Sequence, residues 1–406
     1  MLHGEPPPMH GLAMKRFATI VLGLGAVGSA AVHQLARRRH RVLGIDQHAP
    51  PHTFGSTHGE TRVTRLAIGE GEQYMPLALR SHKLWRKLER ATGARLLTST
   101  GGLIISSSAR TSHCHVDGFF ANTLAAAEKY GIAHEVLDAS EIRRRFPQFK
   151  VADDERGYLE REAGFLRPEE CVRAQLALAE RNGAEIHRGE KVLAFEASDR
   201  EVMVTTNRGR YAADTLILAA GPWLPPMLGE RLGACFKIYR QTLFWFDLDG
   251  PVEAFLPENS PVFIWELQGR KEGIYGFPAI DGPRGGVKIA SESFESTTTP
   301  ETVSRSVTDE ERGAMFDEYV APYVSGVSRR CIKALSCLYT VTSDFGFVID
   351  RHPDSERVII ASPCSGHGFK HSPAIGEALS EIVIQGWSRI DLGAFGLKRF
   401  LTVPAS

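Results

Sequence analysis

The sequence has no surplus of charge. Its 48 Lys and Arg cancel its 48 Asp and Glu, which leaves no electrostatic footprint for nucleic acid or for an anionic membrane surface. It also lacks any apolar run long enough to cross a bilayer. Cysteine is sparse, with six residues at 114, 171, 235, 331, 337 and 364. None of them forms a C-x-x-C pair or a Cys/His spacing suited to zinc, so no metal site is expected. A chain of 406 residues can bury sizeable cores without disulfide staples, which points to a reducing, cytoplasmic setting. Internal repeats and long low-complexity linkers are absent as well. The first fourteen residues, MLHGEPPPMHGLAM, have neither the basic start nor the apolar stretch of a secretory signal. They read as a disordered leader outside the fold.

What is present starts with Phe17–Leu22, a short apolar run typical of a strand buried on both faces. It leads into Gly23-Leu24-Gly25-Ala26-Val27-Gly28, and Val27, Ala31 and Leu35 then recur at helical spacing. Arg41–Ile45 reads as a second strand, ending at Asp46. In such a βαβ unit the first glycine permits the tight turn and the second lets backbone approach a pyrophosphate. The third lets helix and strand pack closely, and the terminal acid accepts ribose hydroxyls. Unpaired N–H groups at the helix start favour the phosphates. Gly23, Gly25, Gly28 and Asp46 are therefore candidate dinucleotide-binding residues. This unit alone does not separate a nicotinamide from a flavin dinucleotide.

Arg167-Pro168-Glu169 opens a helix expected to reach about Asn182 and stop at Gly183. Strand-like stretches follow at Ala184–Ile186 into Val192–Phe195, at Val202–Thr206 and at Tyr211–Ala213. Thr215–Ala220 reads as a further buried strand, whose end at Gly221-Pro222-Trp223 suits close approach to a cofactor. From about 232 to 339 the aromatic, alternating pattern predicts an antiparallel sheet. Arg357–Ala361 is again a buried strand, and Ser372 is expected to cap a helix begun by Pro373, with Ile375, Leu379 and Val383 on its apolar face. The fold expected is α/β plus α+β. A Rossmann-like domain comes from 15–97, 157–230 and 341–406, and a second, antiparallel-sheet substrate domain from 98–156 and 231–340.

Four motifs, in order, resemble the monomeric sarcosine oxidase and N-methyltryptophan oxidase family of D-amino-acid-oxidase-like flavoenzymes. They are the dinucleotide turn with Asp46; Pro50–Thr53 and Gly55–Arg65 followed by Gly69-Glu70-Gly71; Tyr275–Pro278 leading to Lys288; and Ser336–Thr340 with Ser365–Lys370. The resemblance runs from about Phe17 to Gln385. It implies FAD, held covalently through a thioether from Cys337, with Gly221, Trp223, Gly366, Gly368 and Phe369 around the cofactor. It also implies Arg65 and Lys370 as the cations for a substrate carboxylate, Arg62 near the flavin, and Lys288 as the group that activates oxygen. Tyr275, Tyr339 and His367 become pocket residues.

This chain departs from the family pattern by two extra residues between Tyr275 and Lys288. It also has Glu292 where the family usually has a histidine near the substrate. On a strand, 288, 290 and 292 share a face, so Glu292 is expected to point toward the pocket, where a carboxylate would favour a cationic amine. The function implied is oxidation of a secondary α-amino acid such as sarcosine, with O2 reduced to hydrogen peroxide and the imine hydrolysed. The expected partners are the small amino acid and O2 only, with the chain acting as a monomer. Two alternatives stand beside this one: an oxidase or dehydrogenase of a cyclic or bulkier imino acid, and a non-catalytic flavin-binding subunit.

Overall fold

The computed structural model describes residues 14–112 and 114–401. The expected leader lies, Met14 apart, outside the described residues. β1 (Lys15–Leu22), α1 (Ala26–Arg37) and β2 (Val42–Asp46) open the chain. It then passes through β3 (Arg62–Thr64), α2 (Met75–Thr92), β4 (Leu97–Ser99), β5 (Gly102–Ser106), α3 (Phe119–Tyr130), β6 (His134–Asp138), α4 (Ala139–Arg145), β7 (Arg156–Glu160) and β8 (Gly164–Leu166). Next come α5 (Pro168–Arg181), β9 (Glu185–Arg188), β10 (Val192–Ala197), β11 (Val202–Thr206) and β12 (Arg210–Leu218). A further run holds β13 (Phe236–Leu248), β14 (Val262–Trp265), β15 (Ile274–Phe277), β16 (Val287–Ser291) and β17 (Val327–Thr342). The last elements used below are β18 (Val348–His352), β19 (Ser355–Ser362) and α6 (Ser372–Gln385).

The first sheet has the order β10-β11-β12-β1-β2-β9, with β19 parallel to the end of β12 and β18 paired to β19. Its central strand shows why the apolar run is unbroken. Val21 faces α1, packing with Ala31 and Leu35, while Ile20 and Leu22 face the opposite core with Leu43 and Leu216. Successive side chains of a strand point to opposite faces, and here both faces are covered. Helix α1 is gripped between α5 and α6. Gly376 makes the second contact possible, since a Cβ there would lie 2.6 Å from the Cβ of Ala30.

The second sheet runs β17-β13-β16-β15-β14-β5-β7-β6, and a small third sheet, β3-β8-β4, lies beside it. Several expectations need correcting. Tyr211–Ala213 and Thr215–Leu218 form the one strand β12, and the segments read as one strand-like stretch, Ala184–Ile186 into Val192–Phe195, lie at opposite edges of the first sheet. Strand β7 pairs with β5 and β6, so a boundary at 157 would cut through a strand of the second sheet. That sheet is mostly antiparallel, but β14 and β5 pair in parallel. Composition reveals a strand but not its partner, which only tertiary pairing decides. Ser372 does not cap α6: a 3-10 turn, Phe369–His371, runs straight into the helix, whose N-cap is His371.

Candidate active site

Two cavities meet between the sheets. The first is a groove of about 610 Å³ that begins at the end of β1 and the start of α1. Gly23, Gly25, Asp46, Gly221, Trp223, Gly366, Gly368 and Phe369 all line it. Gly23 has φ +86°, and a Cβ there would lie 2.4 Å from the Ala219 carbonyl oxygen. Gly28 lies behind the groove, where a Cβ would be 1.7 Å from the Gly23 oxygen, so any side chain would force strand and helix apart. Asp46 is oriented by its neighbours: Oδ2 accepts the N–H of Leu24 at 2.8 Å and Oδ1 that of His48 at 2.8 Å.

The second cavity, of about 330 Å³, shares Arg62, Tyr339, Gly366 and Phe369 with the groove. Arg65, Lys370, Tyr275, Cys337, His367 and Glu292 also line it. Arg65 donates to Glu70 Oε2 at 2.5 Å and to the Ala67 carbonyl, and its guanidinium lies 4.9 Å from the ring of Phe119. Lys370 donates to the His367 carbonyl at 2.8 Å and lies 3.9 Å from Glu70 Oε1. Glu70 is buried, yet Arg65 and Lys370 hold its carboxyl well below the usual range. Burial pulls Lys370 down to about 8, with Arg65 adding to the effect and Glu70 opposing it.

Glu292 does face this cavity, although it lies just beyond β16. Its Oε2 is 2.8 Å from His115 Nε2, and His115 Nδ1 is 3.8 Å from Glu70 Oε1. Burial works against charge on His115, but Glu292 and Glu70 outweigh it and hold the ring at about 9. Arg65, Glu70, His115 and Glu292 thus form an alternating row of charges along the wall. His367 is placed differently from a free catalytic histidine: Nε2 lies 3.0 Å from the Phe345 carbonyl, and burial pushes the ring down to about 3.

Arg62 donates to the carbonyls of Thr61 at 2.8 Å and Ser56 at 2.7 Å, and reaches Cys337 Sγ at 3.7 Å. Lys288 lines neither cavity as a free cation. Its ammonium is buried and donates to the Gly59 carbonyl at 2.8 Å and to the carbonyl and hydroxyl of Thr61, both at 3.2 Å. Burial, with Arg62 nearby, lowers it well below an ordinary lysine.

The family model for FAD dependent oxidoreductases matches residues 18–382. The chain belongs to this family. It is 40% identical over 392 residues to a monomeric sarcosine oxidase of Streptomyces avermitilis, covering 96% of this chain and 99% of the relative. An N-methyl-L-tryptophan oxidase of Yersinia pestis is 33% identical over 384 residues, covering 94% and 98%. Among solved structures, glycine oxidase from Geobacillus kaustophilus has a TM-score of 0.74 at 19% identity, covering 95% and 99%; at that identity it speaks for the fold alone. The residues present fit the FAD of this family of oxidoreductases. The glycine cradle closes where a Cβ would strike backbone, and the groove passes from the α1 N-terminus to the cavity holding Cys337 and the cations.

Sequence reading missed Glu70 as a functional group, although its motif was quoted, and missed His115, Phe294 and Phe345 altogether. The glycines flanking Glu70 were the available signal: a Cβ on Gly69 would lie 2.4 Å from Thr123 Oγ1, and Gly71 has φ +149°. His115 has no such signal. A pH effect follows from Lys370. Its charge is present below about 8 and lost above, so a small carboxylate inhibitor should bind more weakly as pH rises through that point. Titrating the inhibitor's dissociation constant against pH should show this inflection in the wild type, and Lys370→Met should remove it.

Proposed function

We propose that the protein is an FAD-dependent oxidase of secondary α-amino acids, N-methyl amino acids foremost. One observation supports this above the others: the cofactor groove opens into a cavity bearing two buried cations that flank a common carboxylate, Arg65 hydrogen-bonded to it and Lys370 3.9 Å away. Glu70 now holds that position, so a substrate carboxylate would compete with it for the planar fork of Arg65. FAD held by Gly23, Gly25, Asp46, Gly366 and Gly368 would supply the two-electron acceptor for oxidising the amine and the donor for reducing O2 to hydrogen peroxide. Water then hydrolyses the imine, which for an N-methyl acid yields formaldehyde and the amino acid.

The chain's own residues orient and exclude water. Phe294, Phe345, Ile264 and Tyr275 make the cavity wall largely aromatic or aliphatic, and a low-dielectric wall strengthens the cation–carboxylate contact. Arg62 lies where the two cavities join, beside Cys337, which would carry the flavin. Lys288, fixed behind Thr61, supplies positive charge for the reduction of oxygen. We place this activity in the cytoplasm, with the chain acting as a monomer.

The test is peroxide release in air from sarcosine, N-methylalanine, N-methyltryptophan, L-proline, L-pipecolate and a primary amino acid. Turnover of an N-methyl acid is expected. Preference for a cyclic acid would replace the substrate but keep the site, and silence across the panel with flavin bound would sink the oxidase reading.

A further inference from the structure

Glu169 and Glu170 both stand in the first turn of α5, where acids complement the helix dipole. They behave differently. Glu170 pairs with Arg173 on its own helix. Glu169 turns away to a distant segment: Oε1 accepts the N–H of Gly59 at 2.7 Å and that of Glu60 at 3.1 Å. Those two residues have φ of 93° and 68°, a pair of left-handed conformations that turns successive N–H groups toward one anion. For Glu60, which is not a glycine, this conformation is strained and persists only where its surroundings hold it.

The other side of the same turn faces Lys288. The carbonyl of Gly59 is the lysine's nearest acceptor, and the carbonyl and hydroxyl of Thr61 are the next two. The rings of Phe277 and Trp245 lie 4.8 and 5.2 Å from the ammonium. Arg62, Cys337, Glu60 and His58 also act on it, and Lys333 lies 4.8 Å from the same Trp245 ring. Glu60 is engaged with Lys333 of β17. The turn therefore has Glu169 on its N–H side and Lys288 on its carbonyl side.

We infer that Glu169 is a positioning residue for Lys288: it seats the Gly59–Glu60 turn and so fixes the carbonyls that hold the ammonium behind the junction of the two cavities. Any effect of this on oxygen rests on the role proposed above for Lys288. The seat requires an acceptor oxygen, which glutamine also provides. In Glu169→Ala both N–H groups lose their partner and the turn relaxes; in Glu169→Gln they keep it.

The experiment measures two rates in the flavin-loaded enzyme, anaerobic reduction by the best N-methyl acid and reoxidation of the reduced enzyme by O2. It also follows the Lys288 ¹³Cε signal in lysine-labelled protein, assigned with Lys288→Met. Glu169→Ala is expected to slow reoxidation about tenfold or more while reduction stays within about threefold, and to move the Lys288 signal. Glu169→Gln is expected to restore both. The inference is overturned if Glu169→Ala leaves the lysine signal in place, if Glu169→Gln is as impaired as Glu169→Ala, or if both half-reactions fall together. Lys288→Met reoxidising at the wild-type rate would instead overturn the oxygen role of the lysine, and the signal alone would then decide the positioning.

Discussion

Replacing Cys337 by alanine is expected to release the flavin on denaturation, whereas wild-type protein precipitated with acid should keep its yellow colour. Cys337 is buried in β17, on the cavity wall where the groove arrives. Its sulfur sits between Arg62 Nη2 at 3.7 Å and the Ser56 carbonyl at 3.8 Å. A free cysteine is ordinarily an inert buried hydrophobe, but a guanidinium beside the sulfur is the electropositive setting in which thiols react. Cys364 provides the control. It lines the groove and accepts the N–H of Thr340 at 3.4 Å, so Cys364→Ala should leave the colour on the protein. The mass of the denatured chain decides the matter: a wild-type mass without FAD would reject the attachment, and an adduct on Cys364 would relocate it.

The second large effect is expected from Arg65→Met. Truncating one member of a hydrogen-bonded buried charge pair costs about 2–5 kcal/mol, so kcat/KM for an N-methyl acid should fall by roughly 10²-fold or more. The same change strands the Glu70 carboxylate in the interior, where it is left with Lys370 at 3.9 Å and His115 at 3.8 Å. Losing one partner of a buried pair destabilises by at most about 3–5 kcal/mol; Lys370 and His115 offset part of this, and Tm should still drop. The two consequences separate in the double variant Arg65→Met/Glu70→Gln. It should recover much of the stability and none of the catalytic efficiency. If the double variant regains activity, Arg65 serves only to neutralise Glu70.

The glycines of the first turn were legible because their spacing reflects backbone collisions. Gly23 and Gly28 have no room for a Cβ against main-chain atoms, and such demands appear directly as residue type. The strand β1 and the helices α1 and α5 were legible for a related reason, since burial on defined faces imposes a period. Pairing was not. Nothing in Arg156–Glu160 says that it will lie between β5 and β6, because strand partners are chosen by the whole fold. Within the site, resemblance placed Arg65 and Lys370 on the same cavity wall. It did not foresee that Glu70 would hold Arg65, or that Glu292 would meet a histidine from the 114–116 segment. Glu292 and His115 lie far apart in sequence, Arg65 and Glu70 only five residues apart, but each alone resembles an ordinary surface charge. Lys288 was legible as a residue but not in its surroundings, which depend on a turn set by Glu169.

The order in which the first sheet is stitched bears on how the chain is made. Strand β1 leaves the ribosome well before β12, its neighbour, which follows almost two hundred residues later. The strand beside β12, β19, and the helix that closes over α1, α6, arrive later still. The nascent βαβ unit must therefore wait with apolar surface uncovered while most of the second sheet is synthesised. Such non-local pairing is slow and leaves intermediates open to aggregation. The dinucleotide groove, lined by residues near 22–57 and by 361–369, consequently cannot close until the later of these segments has been made.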